Sequence, residues 1–549
     1  MLYQYNIDTV SLFNLFIMKK RILLALCTAA AFGGSAFAQT AIDAYTITPT
    51  ELRGTARFIG MGGAFTSLGS DLSCLKQNPA GLGLYRSSDI GLTFDISFRN
   101  SNGKTNTGNY RQSYTKAYFD NFGYVGVARL NSVMNFFQWG VGYNRLASFD
   151  RRTKGYVDPA QGSLTNYIAR VADGTDSGTM IEDEGYDPYF DSKADWLSIL
   201  AFNSFMINND HSDATYAGLR QSTTTGDGYF EVQERGYVDE YNIDFAGNVS
   251  DIFFWGLGVG IVDLSYTRES YYSESMAHAL VYDKANDVLT DGNAGYDLMN
   301  EKYISGTGAN IKLGVIVRPI EMLRIGLAVH TPTWMHLNHS GAGNTTYNYT
   351  PDGGQLETGN YSTPLYDYSS RLNTPWKFML GASVMLGNKA ILSADYERVA
   401  YSDMKIKEPS NGYFGSEYVS NESIDDDVKT LFRASNIFRV GLEYRLSSSV
   451  SARVGYNYQS SAATKRATDG IAYVSTAGTD PSYALYNDTN NFTLGLGYRY
   501  KGWYIDAAYQ YTHQSGTFHA FTSEDNNIAP SADCSFNRHN LVISTGIRF

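Results

Sequence analysis

The chain is poor in the residues that staple or break structure: 3 Cys and 12 Pro in 549 residues. Cys27 lies within an N-terminal leader, and Cys74 and Cys534 stand at opposite ends of what remains, so no disulfide framework is implied. Beyond the leader no apolar run is long enough to span a bilayer as a helix. A formal net charge of -12 argues against nucleic acid as a partner. No nucleophile–base constellation emerges, and the paired carboxylates Asp395 and Glu397 lie two apart on one strand face, where inward ion pairing suits them. The reading is therefore of a non-enzyme, with no cofactor and no metal.

Aromatics and glycine are abundant, with 43 Tyr, 29 Phe and 53 Gly. That composition suits a barrel with aromatic girdles at both membrane interfaces and glycine where a curved sheet is crowded. Met18-Lys19-Lys20-Arg21 followed by an apolar run from Ile22 to Phe32 and by Ala36-Phe37-Ala38 reads as a secretory signal ending at residue 38, with 1–17 an upstream extension. Leu26 stands where a lipid-modified Cys27 would need a small residue, so the mature chain is expected to start at Gln39.

Period-2 alternation recurs in about 14 segments: 89–99, 113–130, 135–149, 232–249, 252–269, 302–318, 322–336, 374–386, 389–406, 433–446, 450–461, 491–500, 503–512 and 537–549. Short turns such as Gly387-Asn388, Ser447-Ser448-Ser449 and Lys501-Gly502 alternate with long polar loops, of which 150–231 is the longest. That is the pattern of short periplasmic turns and long extracellular loops. The expected fold is an all-β transmembrane antiparallel β-barrel, with apolar faces toward lipid. Arg324, His330, Arg439, Arg453, Asp506 and Gln510 fall on the faces expected to line the lumen. The final segment runs to Phe549 and is expected to pair with 89–99, turning Ser544, Gly546 and Arg548 inward. Gly256-Leu257-Gly258-Val259-Gly260 has no following helix, so close backbone approach in the lumen is favoured over a nucleotide loop.

Residues 39–88 do not read as barrel. They carry a glycine-rich opening that includes Gly62 and Gly63, then Ser70-Asp71-Leu72-Ser73, then Asn78-Pro79-Ala80. With 372–376, 393–397 and 453–460 these motifs resemble the FadL family of outer-membrane transporters, although the acidic step, often two adjacent Asp in that family, has only Asp71 here. The resemblance implies an N-terminal hatch filling a 14-stranded barrel over 89–549, with Asn78, Pro79, Ala80, Gly62 and Gly63 as structural and gating residues. It implies passive transport of hydrophobic small molecules such as long-chain fatty acids, captured outside, held in the lumen and released sideways through a gap at a kink in the third strand. Segment 135–149 would be that strand, where Gly140 and Gly142 either permit the kink or, as glycine in a barrel strand usually does, only relieve packing. The implied setting is the outer membrane with its lipid and lipopolysaccharide, and a monomer. Alternatives from the same resemblance are a protein-secretion or surface-attachment component.

Two loop features remain open. Trp196, Ile199, Leu200, Asn203 and Met206 have helical spacing with Asp195 as a cap, so Trp196, Leu200, Phe202 and Met206 form either the loop's own core or a substrate-docking patch. His330, His336 and His339 suggest a haem or aromatic-ligand receptor if the fold brings them together.

Overall fold

The computed structural model describes residues 40–130, 132–413, 417–470, 472–523 and 527–549. The expected signal segment and Gln39 lie outside the described residues. Among these residues, 14 antiparallel strands close into a barrel. They are β1 (Asp89–Thr105), β2 (Gly108–Arg129), β3 (Met134–Ser148), β4 (Thr225–Val249), β5 (Phe253–Asp283) and β6 (Val288–Ile320). Then come β7 (Leu323–His330, continued by Trp334–Pro351), β8 (Tyr366–Asn373 and Lys377–Leu386) and β9 (Ala390–Val399, then Lys405–Tyr413). β10 (Ser435–Arg445), β11 (Val450–Gln459), β12 (Tyr483–Tyr500), β13 (Trp503–His519) and β14 (Ser531–Arg548) complete the wall. β14 pairs with β1 from Asp89↔Arg548 to Lys104↔Asp533, which removes the sheet edge.

Successive side chains alternate across the wall. Phe94, Ile243, Leu257, Leu313, Leu380, Val440 and Leu494 point out and are exposed, while their neighbours are buried in the lumen. The outward residues make an apolar belt that water would not tolerate on a soluble protein. Several strands run far beyond that belt. The β1–β2 connection shrinks to Asn106-Thr107 and the β5–β6 connection to four residues, where the sequence suggested long loops. Above the membrane both faces of these hairpins are wet or capped, so apolar–polar alternation fades while the hydrogen-bond ladder continues.

The interior holds three layers. At the periplasmic end the hatch contains α2 (Ala56–Gly60), α3 (Cys74–Gln77) and a 3₁₀ turn (Pro79–Leu84). Above it, α1 (Ala41–Thr46), capped by Thr40 Oγ1, packs with α6 (Glu422–Leu431) in an apolar cluster that includes Ile47, Phe149, Leu264, Leu337 and Val428. The outermost layer is a cap built by α4 (Leu164–Ala172) and α5 (Trp196–Asn203), with a core shared by the tops of β5, β6 and β14. Cys74 and Cys534 are free and buried in different layers.

Candidate functional site

The hatch sits where the wall lacks side chains. Asn78 Oδ1 accepts from Ala80 N at 3.0 Å and so starts the 3₁₀ turn, while Asn78 Nδ2 donates to the Thr66 carbonyl at 2.6 Å. A Cβ at Gly314 of β6 would lie 1.8 Å from Asn78 Oδ1, and one at Gly256 of β5 would lie 2.2 Å from Ala80 N. Gly256 is thus the close approach expected of its motif. Gly62 and Gly63 have φ of 62° and 78°, the left-handed region that favours glycine. Gly62 also presses on β11, where a Cβ at Gly455 would lie 2.1 Å from Gly62 N. All five hatch residues singled out in the sequence therefore lie at hatch–wall contacts or turns.

Charge fixes the rest of the hatch. Arg53 meets Asp120 at 2.8 Å and Glu51 at 2.6 Å, and Arg538 of β14 meets Glu51 at 2.7 Å. Arg57 pairs with Glu443 at 2.9 Å. Thr66 N donates to Asp395 at 2.7 Å, and Asp71 accepts from Thr55 Oγ1 at 2.7 Å. Ala56 N donates to Ser544 Oγ at 2.7 Å and Arg548 Nη2 donates to the Ser70 carbonyl at 3.1 Å, so the last strand does look onto the hatch. Buried charges removed from water need such partners.

Above the hatch lies a cavity of about 140 Å³. Its apolar wall comes from Ile47, Leu52, Phe58, Val262, Met379 and Ile437; its polar wall includes Lys76, Lys312, Lys377 and Arg439 together with Glu51, Glu240 and Glu397. Lys312 is bound by Glu240, and Arg439 Nη2 by Glu397, yet Arg439 Nε and Nη1 are buried with no hydrogen-bond partner. A buried unsatisfied donor costs about 1–3 kcal/mol, so two on one guanidinium make a ready seat for an anion. Sequence reasoning placed Arg439 inside but missed Lys377. Its signal was parity: Phe378 and Leu380 face lipid, so Lys377 and Met379 face the lumen.

The cavity reaches Leu146, close to a break in the wall. The β2–β3 ladder ends at Asn121↔Asn144. Higher up, β2 stays paired with β1, whereas β3 stays with β4, and its continuation Arg151–Val157 turns in behind β2. There Arg99 of β1 donates to the Asp150 carbonyl at 2.6 Å, and Ser101 reaches the Arg152 carbonyl. The seam is spanned by side chains gathered on Asp150: Lys116 at 2.7 Å, Tyr118 OH at 2.7 Å and, from β3 itself, Ser148 Oγ at 2.7 Å. Gly140 and Gly142 do not make this break. Both sit in a regular ladder, and a Cβ there would strike Leu75 of the hatch at 2.6 and 2.7 Å. The turning point is Phe149-Asp150, just above a register shift between Arg145 and Ala147.

The loop residues expected to hold substrate lie elsewhere. Trp196, Leu200 and Met206 are buried in the cap core, with Phe202 packed against it. Trp196 Nε1 donates to the Tyr189 carbonyl at 2.8 Å, and none of the four lines the lumenal cavity. A helix apolar on all sides is a buried helix, and that was the available signal. The histidines are not gathered either. His330 meets the Gln77 carbonyl at 2.8 Å, His339 stacks on Tyr368 at 4.5 Å and bonds Ser370, and His336 is exposed on the outer face. Among the described residues no group of three His, Cys, Asp or Glu is arranged to hold a metal.

No family model and no curated protein matches the chain. Among solved structures it is similar to the Pseudomonas putida toluene transporter TodX at 14% identity, covering 91% of this chain and 99% of that one, with a TM-score of 0.47. It is similar to the Ralstonia pickettii toluene transporter TbuX at 16% identity, 91% and 99% coverage and a TM-score of 0.45. A Pseudomonas aeruginosa FadL homologue follows the chain at 13% identity, 92% and 99% coverage and a TM-score of 0.49. By its own strand closure, hatch and apolar belt, the chain is a plugged 14-stranded outer-membrane β-barrel.

Proposed function

We propose that the barrel conducts hydrophobic small molecules carrying an acidic head, long-chain fatty acids among them, down their own gradient. The observation that carries this reading is the amphipathic cavity above the hatch. Its aliphatic wall rewards each buried methylene by about 0.8 kcal/mol, and Arg439 with Lys377 offers charge to a carboxylate. A cavity near 150 Å³ accepts a single benzene ring, so this one suits an aromatic ring or the head and first methylenes of a longer acid. Toluene, named for two of the similar barrels, has no charge for these cations to meet. Once its ties to Asp150 are released, the seam beside Leu146 would give a bound amphiphile a sideways path to lipid that avoids the tightly bonded hatch.

Uptake of a fluorescent fatty acid by cells with and without the chain tests the proposal, together with mass spectrometry of whatever co-purifies in the lumen. Uptake should fall on deletion and acidic amphiphiles should be recovered. A large, steady single-channel conductance would replace this reading with a general pore.

A further inference from the structure

The chain is acidic overall, yet three neighbouring turns along one arc of its periplasmic rim carry no Asp or Glu, the nearest carboxylates in sequence, Glu443 and Asp506, pairing in the lumen with Arg57 and Arg453. The β8–β9 turn, the β10–β11 turn and the β12–β13 turn are neighbours on that rim. Backbone bonds join them to the adjoining strand ends: Arg445 N to the Lys389 carbonyl at 2.7 Å, Arg499 N to the Ser449 carbonyl at 2.9 Å and Arg548 N to the Gly502 carbonyl at 2.8 Å. Lys389, Arg445, Arg499 and Lys501 are all exposed along this arc. No Asp or Glu occupies 386–390, 444–451 or 498–504. The same turns carry exposed Tyr444, Leu446, Tyr498, Tyr500 and Trp503, and Lys501 Nζ lies 5.4 Å from the Tyr500 ring centroid.

We propose that this arc binds the phosphate head group of anionic phospholipid in the inner leaflet. Aromatic side chains at the end of an apolar belt settle at the depth of lipid head groups. Lys389 and Lys501 lie at the turns themselves, and Arg445 and Arg499 alternate with the outward Tyr444, Tyr498 and Tyr500 at the barrel mouth, from where long side chains reach the rim; each Lys or Arg near an anionic surface adds attraction. A protein partner would not need the cations to be continuous with a lipid-facing aromatic rim. Lipid does, because head group and acyl chain enter the site together.

The test uses the whole protein, extracted in mild detergent, delipidated and offered equal amounts of phosphatidylglycerol and phosphatidylcholine with identical chains. Native mass spectrometry should show phosphatidylglycerol adducts in excess by at least about fivefold. K389Q/R445Q/R499Q/K501Q should bring the ratio near one, while K104Q/R111Q at the far end of β1 and β2 should leave it unchanged. Heat-modifiable gel mobility reports whether each variant is folded, and K389Q/K501Q serves if the quadruple variant is not. A ratio near one for the unaltered protein overturns the proposal, as does an unchanged ratio in a folded neutralised variant. A ratio near one with retention of an acidic periplasmic protein would assign the arc to a protein interface instead.

Discussion

Asn78 Oδ1 occupies the space beside Gly314 so closely that a Cβ on that glycine would lie 1.8 Å away. Hatch and wall are therefore cut to fit each other at this point. G314V should unseat the hatch, and N78A should cost about 1–3 kcal/mol by stranding Ala80 N and the Thr66 carbonyl. Limited proteolysis between residues 53 and 85 should become faster in both, with G314V also raising ion conductance. A G314V hatch as protected as the native one would show that the fit is dispensable.

Asp150 ties the open β2–β3 seam through Lys116, Tyr118 and Ser148. S148C should react slowly with a maleimide because Ser148 is buried, and Cys74 and Cys534 are buried too. S148C/D150A should react at least about tenfold faster, which corresponds to about 1.4 kcal/mol of lost closure. Equal rates would mean that Asp150 does not hold the seam.

Lys377 and Arg439 should sort ligands by charge. K377Q should weaken binding of a fluorescent fatty acid about tenfold, or about 1.4 kcal/mol, and leave binding of an uncharged hydrocarbon unchanged. R439A is a poorer probe, since it strands the buried Glu397 and should cost about 3–5 kcal/mol of stability. Equal loss for charged and uncharged ligands in K377Q would remove the head-group role.

Asp43 docks α1 on Lys302 at 3.0 Å. Burial alone would raise its carboxyl, but the adjacent Lys302 ammonium outweighs this and holds it below the ordinary value of 3.8. A depressed folded value means the contribution is complete above the ordinary value and is lost as pH falls through the lower, folded one. Amide exchange of residues 41–47, corrected for intrinsic rate, should thus speed up on acidification in the native chain, from below about pH 4. D43N should exchange quickly at every pH.

Trp196 belongs to the cap core. W196A should destabilise the cap by about 3–5 kcal/mol, seen as proteolysis within 158–224, while leaving fatty-acid affinity in detergent unchanged. Matching losses of cap stability and affinity would return this residue to the binding site.

What could be read from the sequence was whatever repeats along the strand. Phe492 to Tyr500 alternates large apolar residues with Thr493, Gly495, Gly497 and Arg499, and that period is imposed by the pleat itself. Ser544 and Arg548 could be turned toward the hatch on the same ground. Trp196 could not be placed, because helical spacing of apolar residues looks alike whether they face a loop's own core or a ligand. Gly140 and Gly142 could not be assigned between a kink and packing relief for a similar reason: a glycine in a strand marks closeness to something, and only the fold shows that it is Leu75.

The sequence by itself determined the barrel, because alternation, turn chemistry and apolar faces are local properties that each strand carries alone. The tertiary structure alone decided the seat of Asn78, the inward turn at Asp150 and the cavity that brings Lys377 of β8 to Arg439 of β10. Each of these depends on which of several similar strands becomes a neighbour, across separations of tens to hundreds of residues, and no local period records that choice.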